Sequence, residues 1–340
     1  MIVLLLLLGL ALILGGASLL TDGAAAVAER LRIPEFVIGL TVVAVGTSAP
    51  ELVVSLLSAA GGQGGMAIGN VVGSNLFNTL AILGLCALVR PLPLTRTNIR
   101  RDIPFGLFAA LLFATLLYGP EPGPEAVDRI GRGEGIAMLA LYAALLAQTI
   151  RRERRAAAGE TTPAAGNTAA PAAHSASVAA PVLPEAPTAK GRGIGIAAAM
   201  IAGGLAGLLL GGRLFLDSAT QIARSLGVAE STIAITLVAG GTSLPELASA
   251  LVAVAKGRSA MALGNVVGSN IANLLLILGA SAAACPLTPD GITPIDTAMT
   301  VLSALALLVA AFTFRRRTLD RTEGALFVAA YAIYIWYLLG

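Results

Sequence analysis

The sequence predicts an all-α membrane protein of ten transmembrane helices, arranged as two inverted-topology five-helix repeats with broken helices at the membrane midplane. Composition and a self-match within the chain carry this prediction. Of the 340 residues, 56% are hydrophobic and 12% are charged, and the mean hydropathy is +0.86. A water-soluble domain needs a more polar exterior than this composition supplies, whereas a bilayer accommodates it.

The predicted spans follow from the apolar stretches, because crossing a bilayer takes roughly 20 mostly apolar residues. The first stretch has no basic residue before Arg30 and is longer than the apolar part of a signal peptide, so we expect it to remain in the protein. The expected spans are residues 2–28, 35–60, 66–89, 102–119, 134–150, 193–223, 229–255, 260–284, 295–314 and 322–339.

A linker is predicted between the two halves of the chain. Residues 151–192 begin with a basic run and continue as an Ala-, Pro-, Thr- and Gly-rich segment that contains the only histidine, His174. This composition is typical of disorder, and His174 is expected to be incidental there. The predicted organisation is therefore a first repeat at 1–150, a cytoplasmic linker at 151–192 and a second repeat at 193–340.

The orientation follows from the basic residues, which are enriched in cytoplasmic loops. If the N-terminus is outside, the inner loops carry 18 of the 22 Lys and Arg residues and the outer loops carry three, with Arg213 inside a span. Both termini are therefore expected outside the cell membrane, which requires an even number of spans. A net charge of +3 placed in loops is no sign of nucleic-acid binding.

The internal repeat is the most informative feature. Residues 39–84 align with residues 234–279 at a constant offset of 195, without gaps and with 26 of 46 positions identical. The match extends weakly to the pair Asp22 and Asp217. Because five spans is an odd number, the second repeat enters the membrane from the opposite side, which places a substrate site near the midplane between the repeats.

The first motif within each repeat is G-T-S-x-P-E, which ends at Glu51 and at Glu246. Proline interrupts a helix and frees backbone carbonyls, which at membrane depth must line a cavity or be buried in protein. Carbonyls, hydroxyls and carboxylates are ligands for hard cations. The candidates here are Glu51, Glu246, Thr47, Thr242, Ser48, Ser243 and the carbonyls of Ala44 and Ala239. An intramembrane carboxylate is costly, so two at repeat-related positions indicate a cation site rather than packing.

The second motif is G-S-N-x-x-N, in which Ser74 and Asn78 lie four residues apart, as do Ser269 and Asn273. Residues at this spacing share a helix face, so Asn78 and Asn273 are expected to be ligands. Four other asparagines are equally compatible with ligation and with hydrogen bonding between helices: Asn70, Asn75, Asn265 and Asn270.

Other polar residues in the spans are expected to act elsewhere. Asp22 and Asp217 lie near helix ends, where capping or gating fits better than ion binding. Arg213 is expected to snorkel to the interface or to pair with an acid. Cys86 and Cys285 have no metal-binding spacing, and no disulfide is expected.

At these motifs the sequence resembles the sodium/calcium exchangers of the cation/Ca²⁺ antiporter superfamily, and most of all their compact prokaryotic members. The resemblance implies electrogenic exchange of Na⁺ for Ca²⁺ by alternating access, with two peripheral helices sliding against a core of eight. It implies that Glu51 and Glu246 bind Ca²⁺ with help from Thr47 and Thr242, and that Asn78 completes the site. It also implies flanking Na⁺ sites at Ser48, Ser243, Ser74, Ser269 and the carbonyls of Ala44 and Ala239.

The sequence departs from the family at Asn273, where well-understood sodium/calcium exchangers typically have Asp. Two formal negative charges balance one Ca²⁺ or two Na⁺, and a third Na⁺ would carry uncompensated charge into a low-dielectric site. Ca²⁺ binding is compatible with this change, whereas the Na⁺ count and the choice between Na⁺ and H⁺ stay open.

The alternatives are a Ca²⁺/H⁺ antiporter and, from another class, a passive cation channel or a non-transporting membrane scaffold. No P-loop or other enzyme signature is present, so the chain is not expected to be an enzyme and any transport would use an ion gradient. No cofactor is expected besides the transported Ca²⁺ and Na⁺. The expected partners are these cations and the lipid bilayer, with the chain as a monomer.

Overall fold

The structure, a computed structural model, describes residues 2–118, 129–157, 193–226, 241–313 and 317–339. Within these ranges the regular elements are helices, apart from two short strands and an isolated bridge. The helices are α1 (Ile2–Leu31), α2 (Glu35–Thr47), α3 (Ala49–Ala60), α4 (Gly64–Val89), α5 (Asn98–Tyr118), α6 (Arg132–Ala157), α7 (Ile194–Ser225), α8 (Leu244–Ala255), α9 (Ser259–Ala284), α10 (Pro294–Ala310) and α11 (Arg321–Leu339).

The fold is that of a helical membrane protein. Among the described residues, six helices are long and apolar enough to cross a bilayer, and the bent pair α2 and α3 makes a seventh when counted as one span. The six are α1, α4, α5, α6, α7 and α9, while α8 and α10 are shorter apolar helices. The part of the expected span 229–255 that precedes Gly241 lies outside the described residues.

Several helix boundaries differ from the sequence-based expectation, among them the end of α10 at Ala310 rather than 314, the start of α5 and the end of α6. Helix α5 begins at Asn98 rather than 102, and its additional turn contains Arg101, which is paired with Asp102 (3.0 Å) and donates to Thr149 Oγ1 (3.0 Å). Helix α6 continues to Ala157, past the expected linker start at 151. Residues 158–192 of the expected linker, including His174, lie outside the described residues.

Helices α4 and α9 form the centre of the protein. In each of them, 78% of the most apolar window is buried, against 22% in α1 and in α7. Both central helices come from the self-matching segments and carry the G-S-N-x-x-N motif. The repeat therefore supplies the core, while α1 and α7 form its periphery.

Helices α1 and α7 pack tightly against each other through glycines spaced seven residues apart. A methyl group on Gly16 would lie 2.7 Å from Leu208 N and 2.8 Å from Gly204 O. Gly9 and Gly23 approach the backbone of α7 in the same way. Small residues let membrane helices approach closely, so this seam joins α1 and α7 into one unit.

The two halves interlock at further glycines. A methyl group on Gly264 of α9 would lie 2.1 Å from Phe36 O of α2, which leaves no room for a side chain. Gly84 of α4 packs against Gly324 of α11, and Gly279 of α9 packs against Gly135 of α6. Gly84 and Gly279 are equivalent positions of the repeat, so each half uses the same position to contact the other.

A two-residue ladder ties together the loops that follow α4 and α10. Strand β1 (Leu92–Pro93) pairs antiparallel with β2 (Thr318–Leu319). The Leu94 N–H extends the ladder by donating to Arg317 O at 2.8 Å. This ladder fixes the segment that leads into α5 beside the segment that leads into α11.

Candidate cation site

Each glutamate of the G-T-S-x-P-E motifs lies in the first turn of a helix that starts at a serine. Ser48 (φ −80°, ψ 11°) precedes α3 and Ser243 (φ −91°, ψ 10°) precedes α8, with a proline in the first turn of both helices. Helices α2 and α3 are bent by 47° at this break. The N-terminal end of a helix favours a carboxylate electrostatically, so both Glu51 and Glu246 occupy a favourable position.

The two halves exchange hydrogen bonds at these glutamates. Ser243 Oγ donates to Glu51 Oε1 at 2.9 Å, and Ser48 Oγ donates to Glu246 Oε1 at 2.8 Å. Each glutamate is only 1% exposed. Both carboxylates are therefore buried at the junction of the halves, and each depends on a hydroxyl from the opposite half.

The threonines and the alanine carbonyl of the first motif lie in the same region. Thr47 Oγ1 lies 3.0 Å from Val43 O and 3.3 Å from Asn265 Oδ1. The half-buried Thr242 holds its hydroxyl oxygen out of solvent without a hydrogen-bond partner. Ala239, the other predicted carbonyl ligand, lies outside the described residues.

The Ala44 carbonyl, a predicted cation ligand, already has hydrogen-bond partners in the protein. Ala44 O accepts from Ser48 N at 3.0 Å and from Ser269 Oγ at 3.4 Å. Pro50 lacks an N–H, so the carbonyl that loses its helical donor is that of Gly46, four residues earlier. Any role of Ala44 O at an ion would use its second lone pair.

Both serines of the G-S-N-x-x-N motifs face this junction. Ser74 Oγ lies 3.2 Å from Ser243 Oγ, and so extends the group around Glu51. Ser269 is fully buried beside Ala44. Ser74 therefore lies next to the serine that binds Glu51, whereas Ser269 contacts the backbone of α2.

The two motif asparagines lie at π-helical turns, which are rare and frequent at functional sites. Asn78 is inside the turn Phe77–Ile82, and Asn273 begins the turn Asn273–Ile277. Both are 1% exposed. Asn273 Nδ2 donates to Asn75 Oδ1 at 3.0 Å, and neither residue hydrogen-bonds directly to a glutamate among the described contacts.

The structure assigns hydrogen bonds to the asparagines whose role the sequence left open. Asn70 Nδ2 donates to Glu51 O at 3.1 Å and to Ser55 Oγ at 2.9 Å. Asn265 Nδ2 donates to Ser249 Oγ at 2.8 Å while its carbonyl faces Thr47. These two asparagines brace the glutamate helices against α4 and α9.

The remaining pair of asparagines ties α4 to α9. Asn75 Nδ2 lies 3.3 Å from Asn270 O, and Asn270 Nδ2 donates to Thr79 Oγ1 at 2.7 Å. Sequence reasoning did not single out Thr79, Ser55 or Ser249. Ser55 aligns with Ala250 and Ser249 aligns with Val54. Neither serine is matched by a serine in the other repeat, so the alignment of the repeats does not point to them.

Several buried oxygens of the site have no hydrogen-bond partner. Leaving a buried polar atom unpaired costs free energy, so a group of them in one place requires explanation. Carboxylate, hydroxyl and amide oxygens are the donors that hard cations prefer. The unpaired oxygens are Glu51 Oε2, Glu246 Oε2, Thr242 Oγ1, Asn78 Oδ1, Asn270 Oδ1 and Asn273 Oδ1, and the amide nitrogen Asn78 Nδ2 is unpaired as well.

The charge of the site comes from two carboxylates. Among the described residues no group of three or more His, Cys, Asp or Glu side chains is close enough to hold a metal ion. The donor set is thus two acids surrounded by neutral oxygens. Such a set suits an ion that binds and leaves better than a permanently held metal.

A cavity of about 220 Å³ lies between α7 and the two G-T-S-x-P-E motifs. Its lining includes Pro50, Pro245 and Thr242 from the motifs and the exposed Arg213 from α7. The cavity therefore reaches Thr242, beside the buried glutamates, from the peripheral helix pair.

Asp22 forms an ion pair rather than contributing to the site. Lys256 Nζ, just after α8, lies 2.7 Å from Asp22 Oδ1 and 2.8 Å from Ser18 Oγ. Asp217 is an exposed residue of α7, one turn after Arg213. The positions equivalent to Ser18 and Asp22 in the second repeat are Arg213 and Asp217.

Comparison with known proteins identifies relatives over the full length. The family described as "Sodium/calcium exchanger protein" matches residues 1–151 and 196–340. The inner membrane protein YrbG of Escherichia coli is 33% identical, over 92% of this chain and 88% of its own. The sodium/calcium exchanger MaX1 of Methanosarcina acetivorans is 30% identical, over 98% of each chain. The structure of the sodium-calcium exchanger NCX_Mj superposes with a TM-score of 0.78 at 28% identity, over 99% of this chain and 98% of that one.

The fold and the paired glutamates, taken with these relatives, define a helical membrane transporter of the cation/Ca²⁺ antiporter class, and not an enzyme. The chain belongs to the sodium/calcium exchanger family. Its length and its full-length similarity to proteins of archaea and bacteria fit a compact prokaryotic member.

Proposed function

We propose that this protein exchanges Ca²⁺ for Na⁺ across the cell's inner membrane, at a site built on Glu51 and Glu246. The observation that carries the proposal is the group of unpaired buried oxygens contributed by both halves. A hard cation satisfies such oxygens. The other proposed ligands are Thr47, Thr242, Asn78, Asn273, Ser48, Ser243, Ser74, Ser269 and the carbonyls of Ala44 and Ala239.

Charge balance supports competition between the two ions. The two carboxylates carry two negative charges, which neutralise either one Ca²⁺ or two Na⁺. A further Na⁺ would leave net positive charge in a poorly solvated site, which is unfavourable. Because Ca²⁺ and Na⁺ draw on the same oxygens, binding of one excludes the other, and this exclusion couples their fluxes.

The proposed mechanism is alternating access, in which the site opens to one side of the membrane at a time. In this scheme the ten helices form two inverted repeats of five, with both termini outside and the 151–192 linker in the cytoplasm. The exchanged serine–glutamate bonds and the equivalent glycine contacts in both halves support a two-fold arrangement. The peripheral pair α1 and α7 is the moving part, since only 22% of the most apolar window of each helix is buried and the two helices pack along a seam of their own.

Flux measurements test this proposal. The full chain is reconstituted into liposomes loaded with Na⁺, and uptake of radiolabelled Ca²⁺ is followed after dilution into Na⁺-free buffer. We expect uptake that depends on internal Na⁺ and stops when external Na⁺ equals internal Na⁺. Ca²⁺ uptake that does not depend on the Na⁺ gradient contradicts the proposal.

The second candidate function is Ca²⁺/H⁺ antiport, which Asn273 favours because the site lacks the third carboxylate of typical sodium/calcium exchangers. The two carboxylates of the site would release Ca²⁺ when they bind protons. The same liposomes with an acidic interior and no Na⁺ distinguish the two, since only a Ca²⁺/H⁺ antiporter takes up Ca²⁺ there. A passive channel would conduct Ca²⁺ with neither gradient, and a scaffold would not transport it at all.

A further inference from the structure

A second cavity lies away from the glutamates, at the surface where α5 begins. Its volume is about 370 Å³, and its lining combines Arg96 and Arg100 with Arg317. These arginines come from opposite halves of the chain and are exposed. None of the three belongs to the ion pairs that the described residues make.

The backbone holds these arginines together. The Arg317 N–H donates to Ala311 O at 3.0 Å, while the Arg317 carbonyl accepts from Leu94 N at 2.8 Å. Arg317 has φ +65°, a left-handed conformation that is unfavourable for a residue with a side chain. Such conformations persist where the surroundings fix them and are common at ligand sites. The strand pair β1 and β2 therefore fixes Arg317 beside the segment that carries Arg96.

The adjacent residue Arg101 provides a contrast. The Arg101 side chain forms an ion pair with Asp102 and donates a hydrogen bond to Thr149. Arg100 lines the cavity instead. Within the described residues, the positive charge in the cavity is therefore not neutralised by an ion pair. Arginine presents a planar fork of donors that matches phosphate oxygens, so the cavity is suited to a phosphate-bearing anion.

The rest of the lining is apolar and points to a lipid. Ile99 and Ala311 are buried in the cavity wall, and Phe312 beside them is 63% exposed. An exposed aromatic ring at the end of a membrane helix is typical of contact with the bilayer. A soluble anion has no apolar group to pack against this edge, whereas the acyl chain of a lipid does.

We propose that this cavity binds the headgroup of an anionic phospholipid, with its phosphate at Arg96, Arg100 and Arg317 and its acyl chain along Phe312. Basic pockets between membrane helices are suited to such headgroups. The bound lipid joins α5 of the first half to the loop before α11 of the second half. Binding should therefore stabilise the folded protein independently of ion transport.

Thermal unfolding of the full-length protein in detergent tests this site. Short-chain dioctanoyl phosphatidylglycerol is titrated and compared with dioctanoyl phosphatidylcholine and with inorganic phosphate. We expect a saturable rise in Tm with phosphatidylglycerol alone. An equal rise with phosphatidylcholine, or an equal rise with inorganic phosphate, overturns the proposal.

Variants locate the effect. The triple variant R96Q/R100Q/R317Q should need at least about tenfold more phosphatidylglycerol for half of the shift, as expected for lost charge-assisted hydrogen bonds. The matched control is R151Q/R152Q/R155Q, at the end of α6, which the Arg101–Thr149 contact places at the same surface. If the triple variant does not fold, the single variant R96Q is tested instead, because Arg96 is exposed and its replacement should not disturb the fold. Equal losses in test and control variants would show a general charge effect and overturn the site.

Discussion

The exchanged serines are the defining detail at the scale of single residues. Ser243 donates a hydrogen bond to Glu51, and Ser48 donates one to Glu246. One oxygen of each carboxylate is therefore hydrogen-bonded, and the other is unpaired. A fixed oxygen orients the carboxylate, and the free oxygen is available to a cation. Each glutamate is thus positioned before any ion arrives.

Replacing either glutamate should abolish Ca²⁺ transport. Glu51→Gln and Glu246→Gln keep the shape but remove one of the two charges, which we expect to cost about 2–5 kcal/mol of ion binding, roughly a 30-fold or greater loss. Ca²⁺ flux in liposomes measures the effect. The control is Glu29→Gln, an exposed position at the end of α1, which should transport normally. Wild-type flux from either test variant would exclude that glutamate as a ligand.

A third charge at Asn273 should alter the coupling between the ions. Asn273→Asp brings the site to three carboxylates, which balance one more Na⁺. We expect the wild type to exchange ions without response to membrane potential, and the variant to need more Na⁺ per Ca²⁺ and to respond to an imposed potential. Gln63→Glu adds the same charge at an exposed turn and should leave the wild-type behaviour unchanged. Identical voltage responses in Asn273→Asp and wild type would refute this charge argument.

Some residues of the site were predictable from the sequence and others were not, for physical reasons. The glutamates were predictable because carboxylates in apolar spans are costly and both appeared in the self-match. Ser55 and Ser249 were not, because they differ by one position in the repeat, and only folding shows that each one reaches the equivalent asparagine. The hydrogen bonds that Ala44 O accepts from Ser48 N and Ser269 Oγ could not be read from the sequence, because they depend on how α2 packs against α9.

At the scale of elements, glycine positions decide which helices meet. Within α1, Gly16 lies against the backbone of α7, whereas the neighbouring Gly15 has no atom within 4 Å of its would-be methyl group. The same helix therefore contains one glycine that the packing requires and one that it does not. This pair allows a direct test of the seam.

Adding a methyl group at Gly16 should separate α1 from α7. Gly16→Ala forces the group against Leu208 and Gly204, and we expect a loss of about 1–3 kcal/mol, the usual cost of overpacking. Thermal unfolding of the purified protein measures it. Gly15→Ala adds the same methyl group into open space and should leave the stability equal or slightly raised. Equal losses at both positions would show that close packing is not the cause.

The bounds of the elements were predictable where hydropathy alone sets them. The span expected at 66–89 is found as Gly64–Val89, and the break before Glu51 is where Pro50 indicates it. The start of α5 was missed because Arg100 and Arg101 lower the local hydropathy, although Arg101 is paired. The π-helical turns at the motif asparagines carry no sequence signal that we could identify.

At the scale of the whole molecule, an ion pair among the described residues joins α1 to the end of α8. Lys256 reaches Asp22 and Ser18 of α1 from the end of α8. The position equivalent to Lys256 in the first repeat is Gly61, which has no side chain to make such a contact. Under the proposed alternating access, this difference would favour one of the two states.

Breaking this ion pair should shift the balance between the two access states. The side chains are 29% and 37% exposed, so Lys256→Gln should change the equilibrium by about 0.5–1 kcal/mol, roughly two- to fivefold. The ratio of apparent Ca²⁺ affinities on the two faces of oriented liposomes reports this change. Adding Asp22→Asn to Lys256→Gln should have no further effect.

The control for this prediction is Glu35→Gln, which breaks the ion pair with Arg258. That pair joins α2 to the start of α9, two helices that already pack backbone to backbone at Gly264. Removing it should leave the ratio of affinities unchanged. A shift as large as that of Lys256→Gln would mean that surface charge, and not the link to α1, sets the balance.

The exchange of serines also bears on how such a chain could arise by duplication. An ancestral protein that consisted of the first half alone, ending after α6, would contain Glu51 but not its hydrogen-bond donor Ser243. Its Ser48 would in turn have no glutamate to donate to. Two copies of that half could satisfy each other only by associating in a two-fold arrangement, each lending its serine to the other. Fusion into one chain removes the need for such an encounter, and it lets the halves diverge, so that Lys256 can exist on one side and Gly61 on the other.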